Sequence, residues 1–298
     1  MTGAEAGFLL LTSRLGNPER RVISTAQMRI LASRVQMAQK QDPQRDLTEN
    51  DLVAMGYGRD MAGRILKLLG EEELLRHYCR RGEKLGCLPL TRAGAAYPPQ
   101  LRQRLGEETP GCLWYKGNIS LLTQPMIALV GSRDILEENR EFAREVGRQA
   151  AKQGYVLVSG NARGADQSAQ RACLQAGGKV ICVVADCLAD KTSGENILYL
   201  SEDEFEAPFS AQRAISRNRV IHALPQMTFV AQCGCKEGGT WDGTTKNLRH
   251  GWSSVFCFAD GSPSVALLQQ MGAEMIDTFQ LKNMQDLPRN DTGFLDRI

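Results

Sequence analysis

Two short apolar runs, each followed by a glycine-bearing loop, constrain this chain most strongly. Residues 127–130 (IALV) precede a Gly-Ser-Arg tripeptide at 131–133, and residues 155–158 (YVLV) precede the loop SGNARGAD at 159–166. Continuous apolar runs of this length are typical of buried parallel strands. In an open α/β sheet, the loops at the carboxyl ends of such strands bind ligands. The two loops therefore predict a binding edge on a parallel sheet.

The composition of both loops favours a phosphorylated ligand. Small residues let backbone N–H groups approach a phosphate, and the N-terminus of a following helix favours negative charge. Arg133 and Arg163 add planar guanidinium groups that suit phosphate oxygens. Neither loop matches the NAD-binding glycine fingerprint or a P-loop. Asp166 is open to three interpretations: a helix-start charge, a residue that orients Arg163, or an acceptor for a ribose hydroxyl.

Two later segments have a similar character. Residues 209–221 place three arginines and an asparagine on one predicted helix, namely Arg213, Arg217, Asn218 and Arg219. Like charges four residues apart repel, so an anionic partner would relieve them, although a solvated basic face gives the same pattern. Residues 237–245 (EGGTWDGTT) follow another apolar run and combine glycines with hydroxyls at a predicted helix start. Four such segments at one sheet edge favour phosphate binding over structural turns.

From residue 126 onward, predicted strands and helices alternate. The predicted strands are 127–130, 156–158, 180–184, 198–200, 227–231 and 255–258, and the predicted helices are 138–153, 165–176, 212–224, 240–250 and 264–271. Residues 97–101 are interpreted as a linker and 112–117 as an edge strand. Such alternation implies an α/β fold with a doubly wound, mostly parallel sheet and helices on both faces.

Residues 1–85 are predicted to form a small helical module. A capping box at 48–51 begins one short helix, and apolar residues at helical spacing indicate others within 22–35, 61–69 and 71–84. Two short helices around the glycines of 56–58 suggest a SAM or helix-hairpin-helix type of module, although ordinary helix pairing gives the same signature. Residues 1–105 hold 17 Lys and Arg against 11 Asp and Glu, which fits either a polyanion partner or a solvated basic face. Residues 281–298 are predicted as a polar tail.

Composition narrows the classes of protein. The 298 residues are 42% hydrophobic and 23% charged, as in globular proteins, and the longest apolar runs are too short to cross a bilayer. The nine cysteines are irregularly spaced and no signal-peptide pattern is found, so a cytoplasmic location with reduced thiols is expected. Cys233 and Cys235 form the one close cysteine pair and have no nearby histidine, so no metal or cofactor is expected. The histidines lie in separate segments, which disfavours a nucleophile–base triad.

Residues 86–275 resemble the bacterial DNA-processing protein A (DprA/Smf) family. The family's strand-Gly-Ser-Arg opening matches residues 127–133, and its Ser-Gly-x-Ala-Arg-Gly-x-Asp signature matches 159–166 at every fixed position. Its Arg-Asn-Arg-Ile-Ile helix is similar to 217–221, and its late Ser/Gly-rich loop is similar to 238–245. The segments 97–101 and 113–117 also fit the family pattern.

This resemblance implies an extended Rossmann-like domain over residues 86–280 that is not an enzyme. It implies a protein that binds single-stranded DNA, protects incoming DNA and helps to load the RecA recombinase in natural transformation, with a homodimer left open and no membrane partner. The residues expected to bind DNA phosphates are Gly131, Ser132, Arg133, Ser159, Gly160, Arg163, Gly164, Asp166, Arg217, Asn218, Arg219, Gly238, Gly239 and Thr240.

The chain departs from the family pattern around residues 232–242. Gln232 stands where a glutamate often ends the strand, and Trp241 and Asp242 are an unusual pair in the late loop. This stretch keeps open a nucleotide-binding sensor or a phosphoribohydrolase-like enzyme on a related fold. Such enzymes use a Pro-Gly-Gly-x-Gly-Thr-x-x-Glu loop, and here Asp242 is the nearest carboxylate to the corresponding glycines.

Overall fold

The computed structural model describes residues 1–38 and 46–289, and within these residues one large sheet forms the centre of the fold. Its strands are β1 Leu88–Thr91, β2 Cys112–Gly117, β3 Met126–Val130, β4 Val156–Ser159, β5 Lys179–Val183, β6 Ile197–Ser201, β7 Met227–Val230, β8 Ser254–Phe258 and β9 Glu274–Ile276. Their order across the sheet is β1-β2-β6-β5-β4-β3-β7-β8-β9. The strands from β3 to β9 pair in parallel, whereas β2 is antiparallel to both β1 and β6.

Helices cover both faces of the sheet. They are α1 Gly3–Thr12, α2 Thr25–Ala38, α3 Glu49–Ala54, α4 Arg59–Leu69, α5 Glu72–Lys84, α6 Pro99–Leu105, α7 Glu137–Lys152, α8 Ala165–Gln175, α9 Ala211–Ser216, α10 Asn218–Ala223, α11 Gly238–His250 and α12 Pro263–Gln270. Short 3-10 turns occupy Gly106–Glu108, Ile119–Thr123 and Gln280–Asp286. The prediction of an α/β fold with a doubly wound, mostly parallel sheet is confirmed.

The winding direction of the sheet reverses next to β3. From β3 the chain passes through β4, β5 and β6 on one side, and it then crosses to β7 on the other side of β3. All five residues of β3 are buried, as the apolar run at 127–130 predicts. A crevice forms at the carboxyl ends of the strands where such a reversal occurs, so the fold places a ligand-binding position between β3 and β7.

The N-terminal helices share part of their core with the sheet. Leu9 of α1 and Tyr78 of α5 belong to the same buried cluster as Trp114 of β2 and Phe205. The Tyr78 and Phe205 rings stack with centroids 4.7 Å apart, and the Trp114 ring lies edge-on to Phe205 at 4.8 Å. A separate small cluster lies between α2, α3 and α4 and also takes in Leu11 of α1. The predicted division at residue 85 therefore crosses a continuous aromatic core.

Four local features differ from the sequence predictions. The prediction of an edge strand at 112–117 is wrong, because β2 is paired on both sides. The linker at 97–101 contains the start of α6, and the helix predicted over 212–224 is broken at Arg217. In the predicted tail, Leu281 and Met284 are fully buried, whereas residues 290–298 lie outside the described residues.

Gly147 sets the close packing of α7 on α8. A Cβ at this position would lie 2.9 Å from the Ala169 carbonyl carbon and 3.1 Å from the Cys173 nitrogen, both backbone atoms of α8. We expect Gly147→Ala to lower the free energy of unfolding by about 1–3 kcal/mol, because the helices must separate. Gly63→Ala is the matched control, since Gly63 lies within α4 with nothing within 4 Å of the added carbon.

Urea unfolding of both variants tests this packing. Alanine is a better helix former than glycine by about 1 kcal/mol, so Gly63→Ala should stabilise the protein or leave it unchanged. Equal effects of the two substitutions would show that the α7–α8 contact tolerates a methyl group.

Candidate phosphate-binding cleft

A cleft of about 580 Å³ opens at the reversal point of the sheet, and we refer to it as the switch-point cleft. It receives loops from the carboxyl ends of β3, β4 and β7 together with one side of α9 and α10. Its lining residues are Val130, Gly131, Ser132, Arg133, Asp134, Ala162, Asp166, Ala211, Ala214, Ile215, Arg217, Asn218, His222, Gly234, Glu237, Gly238, Gly239 and Thr240.

The loop after β3 is held in place by Gln232, two residues after the end of β7. The Ser132 N–H donates to the Gln232 carbonyl at 2.9 Å, and the Leu136 N–H donates to Gln232 Oε1 at 2.9 Å. Gly131 has no room for a side chain, because a Cβ there would collide with the side chain of Ala165. Arg133 is exposed and forms no hydrogen bond or ion pair within the described part of the chain. The loop thus holds a free guanidinium group on a rigid backbone.

The loop after β4 folds around the carboxylate of Asp166. Asp166 Oδ2 accepts hydrogen bonds from the Gly160 N–H at 3.0 Å and the Ala162 N–H at 3.2 Å. Gly164 has a φ of +79°, and a Cβ there would collide with the carbonyl oxygens of Ser132 and Arg133. The two loops are therefore packed backbone to backbone, which only a glycine permits at this position.

Arg163 extends from the second loop into solvent. Its side chain is 77% exposed, and its one ion pair in the described part of the chain is a 3.9 Å contact with the still more exposed Asp134. Such a pair contributes little, because water screens both charges. Arg163 does not line the cleft, but its guanidinium group is free to bind a phosphate beside it. Ser159 is not available in this way, because its buried hydroxyl accepts a hydrogen bond from Gln170.

Arg217 forms the floor of the cleft at the junction of α9 and α10. Its residue is 8% exposed, and its Nη2 donates to the Gly160 carbonyl at 3.0 Å. Gly160 must be glycine, because a Cβ there would overlap the guanidinium group of Arg217. Burial lowers the pKa of Arg217, and the charge of Asp166 opposes that shift. The floor is thus a positively charged group seated on the backbone of the second loop.

The start of α11 supplies backbone donors to the same cleft. Gly238 has a φ of +84°, and the preceding Glu237 makes no side-chain cap on the helix. Asn218 Nδ2 donates to the Gly239 carbonyl at 3.0 Å and so holds this turn against α10. The first N–H groups of a helix have no partner within the helix, so this end of α11 favours an anion.

Two buried groups near the cleft have shifted pKa values. Burial raises the pKa of Asp166 to about 6, although the charge of Arg217 and two backbone N–H groups act in the opposite direction. Burial, together with the charge of Arg217, lowers the pKa of His222 to about 3. His222 is therefore neutral, and its Nδ1 lies 3.1 Å from Nδ2 of Asn247. Protonation of Asp166 therefore favours the folded state, whereas protonation of His222 favours the unfolded state.

These shifts predict how the Asp166→Asn substitution changes stability. Between about pH 4 and pH 6 the folded Asp166 binds more protons than the unfolded one, so its contribution to stability is present at low pH and is lost as the pH rises. His222 has the opposite effect. Between about pH 3 and pH 6.5 the unfolded histidine binds more protons than the folded one, so the contribution of His222 to stability increases as the pH rises. Asparagine keeps an oxygen for the Gly160 and Ala162 N–H groups but cannot titrate.

We expect Asp166→Asn to match the wild type near pH 4 and to exceed it by about 3 kcal/mol at pH 7, since each pKa unit corresponds to about 1.4 kcal/mol. Urea unfolding at pH 4, 5, 6 and 7 measures this difference. Parallel pH curves for the two proteins would show that Asp166 ionises as freely in the fold as in the unfolded chain.

The structure brings most of the predicted site residues together. Nine of them line the switch-point cleft, namely Gly131, Ser132, Arg133, Asp166, Arg217, Asn218, Gly238, Gly239 and Thr240. Four belong to the end of β4 or the loop after it but do not line the cleft, namely Ser159, Gly160, Arg163 and Gly164. Arg219 lies elsewhere, because its Nη2 donates to Glu202 at 3.0 Å and it lines a separate cavity of about 1040 Å³ beside α1 and α5.

Sequence reasoning missed the supporting part played by Gln232 and the apolar wall of the cleft. That wall is Ala211, Ala214 and Ile215 of α9, and their three- and four-residue spacing could have indicated a shared helix face. The described residues contain no group of three or more His, Cys, Asp or Glu side chains placed to hold a metal ion. They also contain no helix that is long and apolar enough to span a membrane.

Comparison with known proteins assigns the chain to a family. A family sequence model described as DNA recombination-mediator protein A matches residues 89–245, which is more than half of the chain. The chain belongs to this family. It is 34% identical to DNA processing protein DprA of Streptococcus pneumoniae over 142 residues, which cover 44% of this chain and 50% of that protein. It is 29% identical to protein Smf of Escherichia coli over 153 residues, which cover 48% and 40%.

Solved structures show the same fold. The crystal structure of DNA processing protein A from Streptococcus pneumoniae matches with a TM-score of 0.67 and 24% identity, covering 87% of this chain and 96% of that one. A structure of DNA processing protein A from Helicobacter pylori, described for its single-stranded DNA binding mode, matches with a TM-score of 0.55 and 22% identity, covering 67% and 95%. In sequence, the chain spans about half the length of the curated relatives it matches. The predicted resemblance to the DprA/Smf family is thereby confirmed.

Proposed function

We propose that this protein binds single-stranded DNA at the switch-point cleft and acts in DNA processing rather than as an enzyme. The observation that carries the proposal is the pair of exposed arginines, Arg133 and Arg163, on two rigid loops at one sheet edge. The N-terminus of α11 adds backbone donors to the same cleft. The description of a Helicobacter pylori relative as a single-stranded DNA binder supports the choice of ligand.

The apolar wall of the cleft supports a single strand over a duplex. Ala211, Ala214 and Ile215 line the cleft, and Ile215 is 49% exposed. Unstacked bases offer apolar faces to such a wall, whereas the bases of a duplex are stacked and paired. A surface that combines phosphate donors with apolar contacts therefore favours single strands without reading their sequence.

Fluorescence anisotropy with labelled oligo-dT tests this function. Because each neutralised phosphate releases counterions, the logarithm of affinity should fall linearly with the logarithm of salt, by about 0.7 for each phosphate contact. A duplex of equal length should bind more weakly. Binding that is absent, or that does not change between 50 and 200 mM salt, would contradict the proposal.

We extend the proposal to two partners that the family resemblance implies. The first is the RecA recombinase, whose assembly on single-stranded DNA the protein would assist. Light scattering or electron microscopy of RecA filaments formed with and without the protein tests this contact. The second is a second copy of the chain, and light scattering after size-exclusion chromatography measures the mass in solution.

A nucleotide-binding function is the second candidate, because the cleft volume suits a small ligand as well as part of a strand. Asp242 stands nearest to the acid of phosphoribohydrolase-like loops, but it pairs with Lys246 at 2.9 Å and does not line the cleft. This geometry favours binding over cleavage of a glycosidic bond. A mononucleotide that raises the melting temperature, and that oligo-dT does not displace, would favour this candidate over DNA.

A further inference from the structure

The floor of the switch-point cleft carries a positive charge that the protein leaves without an ion pair. Arg217 is more than nine-tenths buried, yet it forms no ion pair with any carboxylate in the described part of the chain. Within those residues its side chain makes one hydrogen bond, from Nη2 to the Gly160 carbonyl, and its buried Nε has no partner. A buried guanidinium group with unused donors is costly unless an anion completes it.

Asp166 is the carboxylate that influences Arg217 most, but it is already engaged. Its Oδ2 accepts hydrogen bonds from the N–H groups of Gly160 and Ala162, so it holds the loop rather than the guanidinium group. The other carboxylates that line the cleft are Asp134 and Glu237, and both are exposed. The charges of Glu202 and Asp186 also act on Arg217, but in the described part of the chain neither forms an ion pair with it. The guanidinium group at the floor is therefore left without a carboxylate partner.

A second positive charge lies close to the first. Arg133 acts electrostatically on both Arg217 and Asp166, and the effect of its charge adds to burial in lowering the pKa of Arg217. The 13-residue helix α11 begins in the same cleft without a side-chain cap. Two guanidinium groups and a helix N-terminus together match an anion of two charges better than an anion of one charge.

The chemistry of phosphate esters distinguishes these anions. A phosphodiester within a strand carries one negative charge, and both of its ester oxygens continue into sugars that must leave the cleft. A phosphomonoester carries close to two charges at neutral pH and has three free oxygens and one arm. We propose that the floor of the switch-point cleft, formed by Arg217 and the start of α11, binds the terminal phosphomonoester of a DNA strand.

This inference rests on the proposed function and adds a preference for strand ends to it. The test measures anisotropy for three oligo-dT probes of equal length, which carry a 5′-phosphate, a 3′-phosphate or no terminal phosphate. We expect one phosphorylated probe to bind about tenfold more tightly than the unphosphorylated one, which corresponds to the gain of one charge-assisted contact. Equal affinities of all three would overturn the inference but leave DNA binding intact, whereas no binding of any probe would contradict the proposed function itself.

Competition by dTMP and by inorganic phosphate separates a strand end from a free nucleotide. If either small molecule displaces the phosphorylated probe only at concentrations far above that of the probe, the cleft binds a strand end. Displacement by dTMP at concentrations similar to that of the probe would overturn the assignment to a strand.

Two substitutions locate the preference. Arg217→Gln should remove the difference between phosphorylated and unphosphorylated probes, whereas Arg133→Gln should weaken both probes and leave much of the difference in place. Arg217→Lys serves if the glutamine variant fails to fold, because it keeps the charge but loses the planar fork and should reduce the preference. A full tenfold preference in a folded Arg217 variant would place the terminal phosphate elsewhere.

Discussion

Reversing the charges of Arg133 and Arg163 together should reduce the affinity for oligo-dT by about 100-fold at 100 mM salt. Each substitution to glutamate removes one phosphate contact and adds a repulsive charge, so a loss of about tenfold for each is expected. Both side chains are exposed, and Arg163 has only a weak contact with Asp134. The fold should therefore be unaffected. Anisotropy titrations at several salt concentrations measure the effect, and the slope against salt should decrease by about 0.7 for each lost contact.

Arg171→Glu is the matched control for this double variant. Arg171 is an exposed arginine on α8, the helix that follows the second loop, and it lies about 9 Å along the helix axis from the first residue of α8. Arg171→Glu changes the net charge by the same amount as each of the two substitutions but lies away from the sheet edge. It should therefore reduce the affinity for oligo-dT by less than threefold. If the control and the double variant weakened binding equally, the ligand would respond to net charge rather than to the cleft.

Gly164→Ala should have the largest effect on stability among single substitutions near the cleft. The backbone at Gly164 has a φ of +79° and a ψ of −120°, a region that residues with a side chain rarely enter. The added carbon would also collide with the carbonyl oxygens of Ser132 and Arg133. Strain and overpacking together should lower the free energy of unfolding by about 3 kcal/mol. DNA affinity should fall as well, because the two loops would separate.

Gly177→Ala isolates the backbone part of this effect. Gly177 follows α8 with a φ of +77°, but a Cβ there would meet nothing within 4 Å. This substitution should cost about 1 kcal/mol in unfolding free energy and leave DNA binding unchanged. Chemical denaturation and oligo-dT titration of both variants test the comparison. Similar stabilities would show that the loops after β3 and β4 can move apart at little cost.

Much of the sheet could be predicted from the sequence, because buried parallel strands are continuous apolar runs. The predicted strands after residue 126 agree with β3 to β8 within one residue at either end. The pairing of β2 could not be predicted, since it depends on contacts with β1 and β6 that are distant along the chain. Likewise α1 was missed, because Phe8 and the three leucines that follow it are all buried and show no helical period.

The sequence predicted which loops form the cleft, but it did not predict which arginines are buried in it and which are exposed. The sequence predicted that Gly131 and Gly164 let the backbone approach a phosphate, and this stays a prediction. The structure shows a further need for both glycines, because a Cβ would collide with the Ala165 side chain at Gly131 and with the loop after β3 at Gly164. The sequence could not show that Arg217 is a buried floor and that Arg219 faces another cavity. Residues two apart on a helix point to nearly opposite sides, so Arg217 and Arg219 cannot share a face. Which of the two sides is buried against the cleft depends on how α9 and α10 pack on the sheet, which helix periodicity alone does not give.

The ring cluster of Tyr78, Trp114 and Phe205 determines how the protein can be shortened. A fragment that begins at residue 86 would keep every loop of the switch-point cleft but would lose α1 and α5, and with them the cover over Trp114 and Phe205. Exposed aromatic surface of this kind promotes aggregation. A shortened version of the protein that keeps the cleft should therefore retain α1 and α5, and insertions of tags or fusion partners belong at other positions in the chain.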